Sequence, residues 1–343
     1  MSASSDCRLL DRRGFMRLGA GALAAASAAF QWGCNLTTRA CKSVPPNPFV
    51  AAGKPLLVVV NGEDLGAMLR AGIAALGGLD PLTKLGRDAI FRGNYVAPQS
   101  YPVTTAPDFV LAVAAELKRA GLSKTSLFDT HGTRLGAGIP PEHILRHLGV
   151  LDKLTQGDVP VLTRDFADPD EFIFVRNPAW TIAKPVAVHR LLHEAPIVVS
   201  LPVVKRHRGA KFTCALKMHF GSVAMADRML VHTKDDEGRS GLLHQRLVHF
   251  ADAVKPQLNI VDARAILTRN GPVLGAGAEV VQGVNKLIFS GDMVAVDAYC
   301  ARLMAQHDET FTVDMIAPQL KHAAALGLGK ADLDAVKIVE LSA

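Results

Sequence analysis

The stretch "LPVVKRHRGAKFTCALKMHFGSV" (201–223) sets Lys205, Arg206, Arg208, Lys211 and Lys217 beside His207 and His219. Those types in that density suit chemistry on an anion. Lys205 and Lys217 would neutralise developing negative charge, and His207 would transfer protons. The cluster follows the apolar run "APIVVSLPVV" (195–204) directly, which reads as a strand buried on both faces. Burying an unpaired ion costs several kcal/mol. The charges must therefore meet water, carboxylates of the protein, or an anionic ligand. A solvated surface loop is the bland alternative.

Two further stretches supply acidic and glycine-rich elements. "NIVDARAILTRNGPVLGAG" (259–277) reads as a strand, then Asp262 at the strand end, then a loop with Gly271, Pro272, Gly275 and Gly277. Asp262 or Asp297 would orient the histidine. The backbone N–H groups of such a loop can cradle an anion, although the loop fits neither the P-loop nor the dinucleotide fingerprint. "FSGDMVAVDAYCARL" (289–303) places Asp292 as a helix cap, with Asp297 five residues on.

Seven of the twelve histidines lie between His189 and His249, a density that raises a metal site. His207, His232, Asp262 and Asp297 are the least unsuitable ligands. No H-E-x-x-H exists, and the pairs His189/His193 and His244/His249 sit on segments that read as surface-capable. The five cysteines form no C-x-x-C, which argues against an iron–sulfur cluster or a local zinc site. The expectation is no metal, with the cofactor unknown. A serine hydrolase is disfavoured because no G-x-S-x-G is present.

The positioning elements alternate. "PLLVVV" (55–60), "DAIFRGN" (88–94), "TSLFDT" (125–130), "QLNIVDA" (257–263) and "NKLIFSG" (285–291) read as strands, and "EFIFVRN" (171–177) as another. Between them, "DLGAMLRAGIAALGG" (64–78) and "TAPDFVLAVAAELKRAG" (105–121) carry helical periodicity, with Thr105 as a plausible cap on the second. This order predicts an α/β fold, a mostly parallel sheet with helices on both faces. Ligands in such sheets bind beyond the carboxyl ends of the strands.

The chain has 343 residues, 49% of them hydrophobic, which excludes a disordered chain. Of the net charge of +6, Arg8, Arg12, Arg13 and Arg17 against Asp6 and Asp11 account for +2. The remainder is too mild, and the 6% aromatic content too low, to indicate nucleic acid. "DRRGFMR" (11–17) before "LGAGALAAASAAF" (18–30) resembles a twin-arginine export signal. That apolar run is shorter than the ~20 residues that span a bilayer. The expected organisation is a signal over 1–30, a linker over 31–54 and a single α/β domain over 55–343. The protein would be periplasmic or otherwise exported, with the twin-arginine machinery as partner and no stable membrane span.

In their order along the chain, the three chemistry-bearing stretches resemble the signature blocks of the domain-of-unknown-function 362 family. "AIFRGNYVAPQSYPVTTAPDFVLAVAAELKRAG" (89–121) resembles an earlier block, and the likeness runs over roughly residues 55–305. It implies site roles for Lys205, His207, Thr213, Lys217 and Gly221, with Asn94 from the early block. From the later blocks it implies roles for Asp262, Gly271, Pro272, Gly275, Asp292 and Asp297. Two positions depart from the pattern. Met218 stands where an asparagine is expected, and Arg92-Gly93-Asn94 replaces lysine-proline-asparagine. The resemblance names a site and no reaction. Two classes stay open: an enzyme acting on a small carboxylate- or phosphate-bearing substrate, and a noncatalytic accessory protein that binds an anion, a cofactor or a redox partner.

Overall fold

Alternation along one strand organises the interior. In β1 (Lys54–Asn61), Leu56, Val58 and Val60 face one apolar cluster, while Leu57 and Val59 face another. The first cluster includes Met68 and Leu69 of α1 (Leu65–Ala75). A strand buried on both faces needs helices on both sides, and this sheet has them. The computed structural model describes residues 38–129, 142–163, 168–231 and 242–343. The proposed signal, the start of the linker and His232 lie outside the described residues.

The remaining strands of the main sheet are β2 (Asp88–Arg92), β3 (Lys124–Asp129), β4 (Val161–Thr163), β5 (Ile197–Ser200), β6 (Val203–His207), β7 (Lys211–Thr213), β8 (Leu258–Thr268), β9 (Glu279–Val281), β10 (Lys286–Ser290) and β11 (Lys337–Ser342). The central order is β11-β1-β10-β8-β5-β2-β3-β4. Only β10 runs against its neighbours along that path; every other join is parallel. The expected α/β architecture is thus present. The chain moves outward from β2 through β3 to β4, then returns to lay β5 on the opposite side of β2. Such a reversal opens a crevice at the carboxyl ends of the strands. Helix α2 (Pro107–Arg119) packs on the first cluster through Phe109, Val110, Val113 and Leu117.

Four local expectations need correction. "APIVVSLPVV" forms two strands, because the chain breaks at Leu201-Pro202 between β5 and β6. Pro202 lacks the N–H that a central ladder needs, so the β5–β2 ladder makes its last bond from Leu201 N–H to the Arg92 carbonyl at 2.9 Å. Strand β6 then rejoins β8 with a register shift between Val203 and Lys205. Asp262 is not at a strand end, since β8 continues to Thr268. Thr105 does not cap α2, whose N-cap is Ala106. Its hydroxyl instead accepts from Asn94 N–H at 2.8 Å and donates to the Leu201 carbonyl at 3.0 Å. Finally, Phe172–Arg176 belongs to a separate three-stranded sheet with Arg39–Ala40 and Val186–His189. Among the described residues no helix is long and apolar enough to cross a membrane.

Candidate functional site

Strand period two sorts the cationic run. Successive side chains of β6 point to opposite faces, so Lys205 and His207 turn one way and Arg206 the other. Arg206 goes to Asp308, Nε to Oδ2 at 3.0 Å, over the ring of Phe311. Lys211 and Arg208 are exposed. Lys205 is 1% exposed and runs inward, where Nζ donates to Asn94 Oδ1 at 3.1 Å and to the Val103 carbonyl at 2.5 Å.

Lys205 and His207 enter a cleft, about 530 Å³ when the open solvent at its mouth is counted, lined also by Thr213 of β7, Lys217 of α3 (Ala215–Met218), Gly221 and Asn94. Residues the sequence did not single out complete it. Arg92 ends β2, Asp129 ends β3, Tyr95 and Val96 follow β2, and Arg228 comes from α4 (Met225–Leu230). Arg92 donates to Asp129 Oδ1 at 3.0 Å. Arg228 is tied down by the Val223 and Gly221 carbonyls at 3.0 and 2.7 Å. Phe220 offers its ring face to Lys217 Nζ at 4.9 Å and to the Arg228 guanidinium at 5.8 Å.

The other candidates do not line this cleft. Asp262 is held by Tyr101, whose hydroxyl donates at 2.8 Å, and by Arg264 at 2.7 Å. Its carboxylate is occupied by those partners and orients no histidine. Asp297 accepts the Leu216 N–H at 3.3 Å and so anchors the start of α3 from below. Asp292 caps α5 (Met293–His307) through Val294 and Ala295 N–H, and also accepts from Lys330 N–H. Gly271 is there for a close approach: a Cβ would sit 2.2 Å from the Arg206 carbonyl oxygen. Gly275 has φ +112° with open space around it. The glycine loop therefore brings only Pro272 to the cleft, and proline has no N–H to cradle an anion.

The model of the family described as "Domain of unknown function (DUF362)" matches residues 92–302. This chain belongs to that family. A thylakoid-associated protein of Synechocystis sp. is 26% identical over 240 residues, covering 67% of this chain and 68% of that protein. Among solved structures, the lactate racemase apoprotein of Thermoanaerobacterium thermosaccharolyticum aligns with TM-score 0.47 at 11% identity, over 77% of this chain and 61% of that one. A Thermotoga maritima protein aligns with TM-score 0.43 at 15% identity, over 70% and 59%. The chain thus spans about three fifths of the solved structures it matches.

Both departures from the DUF362 pattern fall on the cleft wall. Met218 lines it where the resemblance implies an asparagine, and Arg92 brings a guanidinium where the resemblance implies a lysine. Gly93 accompanies Arg92 because a Cβ there would meet the Tyr95 ring at 2.6 Å.

The electrostatics of this DUF362 site are one-sided. Among the described residues, Arg92, Lys205, Lys217 and Arg228 line the cleft against a single carboxylate, Asp129. Burial lowers the pKa of Lys205 well below the usual lysine value, and Lys217 lowers it further. Burial, then Arg228, brings Lys217 to about 8. Arg228 falls to about 9 through burial, then Arg92. Each shift records positive charge short of compensation. Tyr95 is pushed far up by burial and then by Asp129, so its phenol stays protonated. Three buried polar atoms on the wall, Arg92 Nε, Tyr95 Oη and Thr213 Oγ1, have no hydrogen-bond partner among the described residues. Native interiors rarely leave such groups unmet.

His207 has a distinct role. Its Nδ1 accepts two backbone N–H groups, from Gly209 at 3.1 Å and Ala210 at 3.0 Å. Two donors aimed at Nδ1 put the ring proton on Nε2. His207 therefore enters as a neutral N–H donor, better suited to polarising an oxygen than to taking its proton. The pairs read as surface-capable also change: His189 is buried against Phe128 and Phe172, and His249 is buried and stacked on Trp180. Among the described residues no three His, Cys, Asp or Glu groups converge as metal ligands.

Proposed function

We propose that this protein binds a small carboxylate- or phosphate-bearing molecule in the cleft and acts on it as an enzyme. One observation carries the reading: four cations and three unmet polar atoms surround a space with one carboxylate. An anion there would restore charge balance for Lys205 and Lys217 and accept from Arg92 Nε and Thr213 Oγ1. Arg92 and Arg228 suit a carboxylate or phosphate in a two-pronged grip. Neutral His207 and protonated Tyr95 would polarise a carbonyl or phosphoryl oxygen where negative charge develops. A merely electrostatic docking surface would not need protonated hydroxyls buried among its cations, which favours the enzyme over the accessory protein. Export by the twin-arginine route is proposed with it, on the strength of Arg12 and Arg13.

Thermal melts with phosphate, sulfate, oxalate and chloride test the reading. At a ligand concentration 100-fold above Kd the folded state gains about 2.7 kcal/mol. The expected result is a large gain with one of the multivalent oxyanions, lost in Arg228→Gln. Equal, small shifts from every anion, unchanged by that substitution, would leave only screening of surface charge.

A further inference from the structure

We propose that Lys217 is a catalytic nucleophile whose ε-amine forms a Schiff base with the carbonyl carbon of an anionic aldehyde or ketone. The inference deepens the anion-binding reading and rests on it. Lysines that serve only as counter-charges sit on carboxylates or carbonyls. Lys205 follows that pattern, with Asn94 and Val103 as acceptors. Lys217 does not. Among the described residues its Nζ makes no hydrogen bond or ion pair, and its contact is the ring face of Phe220 at 4.9 Å. The cleft wall around it carries Arg92, Lys205 and Arg228 against one carboxylate, Asp129, and Arg228 opposes its protonation. A half-buried amine without a hydrogen-bonding partner, beside another cation, is the arrangement that turns lysine into a nucleophile near neutral pH, and its pKa of about 8 agrees with that geometry.

The step balances within the site. The Lys217 lone pair adds to the carbonyl carbon, and one proton passes from nitrogen to oxygen to give a neutral carbinolamine. The second proton passes from nitrogen to that hydroxyl, which leaves as water while the C=N bond forms. One amine and one carbonyl become one imine and one water, with no oxidant or reductant. Arg92 and Arg228 would hold the carboxylate or phosphate. The N–H of His207 and the hydroxyl of Tyr95 would stabilise the oxygen as it gains charge. Arg92, Arg228 and Lys217 line one cleft, so the anionic group and the reacting carbon must lie close together, and 2-oxo acids and phosphorylated aldehydes or ketones are the fitting substrate class.

Reductive trapping on the full chain tests this. Glyoxylate with cyanoborohydride, near the pKa of about 8, leaves a carboxymethyl group on whichever lysine forms the imine. Peptide mass spectrometry then reads the site. The expected result is labelling of Lys217 roughly tenfold faster than exposed lysines such as Lys211, since an ordinary lysine holds little free amine at that pH. Oxalate should suppress it, and acetaldehyde, which lacks the carboxylate, should label Lys217 more slowly than glyoxylate does. Labelling no faster than at Lys211 overturns the Schiff base. If oxalate still raises the melting temperature in that case, the anion site stands; if it does not, both readings fall. Equal labelling of Lys217 by acetaldehyde and glyoxylate overturns the anionic substrate class.

Discussion

Lys205 Nζ meets Asn94 Oδ1 at 3.1 Å, across 111 residues of sequence and the reversal point of the sheet. The contact joins the turn after β2 to the strand that β5 hands on, so the two halves of the cleft are assembled by a buried cation. That cation has acceptors and no carboxylate.

The first prediction follows from that arrangement. Lys205→Met removes a buried charge that lacks an ionic partner, and with it a desolvation cost of several kcal/mol. The ligand-free protein should therefore melt at the same temperature or higher. The oxyanion-dependent gain should disappear. Denaturant and thermal unfolding with and without oxalate check both. A variant that melts lower yet still responds to oxalate would make Lys205 a structural strut only.

Asp129 predicts the opposite combination. It pairs with Arg92 at 3.0 Å, both nearly fully buried. Asp129→Asn breaks a buried pair, which costs roughly 3–5 kcal/mol. It also removes the only carboxylate among the described residues of the cleft wall. Oxyanion affinity should rise while stability falls, as isothermal titration and unfolding curves would read. A drop in both would show that Asp129 serves the ligand through Arg92 geometry rather than opposing it by charge.

How far the sequence carried the site depends on where each residue lies. Lys205, His207, Thr213, Lys217 and Gly221 were legible because a strand, a hairpin and a short helix run consecutively from 203 to 223. Asn94 came from the family block. Arg92 and Asp129 sit where sheet topology puts ligands, at the ends of β2 and β3. Treating the last residue of each apolar strand as a candidate would have found them. Arg228 and Tyr95 carry no such signal, because a six-residue helix and a turn reach the cleft only through tertiary packing. Asp262 is misplaced by the sequence pattern for a related reason: a strand read from apolar residues stops at the charge, whereas an Arg264 and Tyr101 clamp allows β8 to bury it.

Asp297 gives a pH prediction. Burial raises its pKa from 3.8 to about 7, partly offset by the Leu216 and Ala215 N–H groups. The folded protein thus keeps a proton that the unfolded chain loses from about pH 3.8 upward. Its stabilising contribution is complete below that value and is lost as pH rises through about 7. The slope is at most about 1.4 kcal/mol per pH unit. Asp297→Asn, which keeps an acceptor for Leu216, should flatten the fall in melting temperature over that window. An unchanged profile would mean the carboxylate ionises freely in the fold.

The export proposal has its own test. Arg12→Lys with Arg13→Lys should hold the precursor in the cytoplasm, because the twin-arginine pair is the recognised element. Cell fractionation with immunodetection reads it. Normal arrival of the doubly substituted chain outside the cytoplasm would remove the twin-arginine reading.

Lys217 ties the charge of the cleft to pH in two opposite ways. Its folded pKa, lowered from 10.5 to about 8, lies below the unfolded value. Between those two values the unfolded chain binds the proton and the folded one does not. This group's contribution is therefore present above about 10.5 and is lost as pH falls through about 8. Ligand-free stability should rise with pH across that window, and Lys217→Met should remove the rise. Oxyanion affinity should do the reverse, weakening as pH climbs past about 8 and the ammonium is lost. A bound anion holds the proton on Lys217, so binding near that pH should take up protons from the buffer. Calorimetry in two buffers of different ionisation enthalpy measures the uptake directly. Zero uptake in the wild type, or the same uptake in Lys217→Met, would mean that Lys217 is fully charged before the anion arrives and that its amine is no nucleophile.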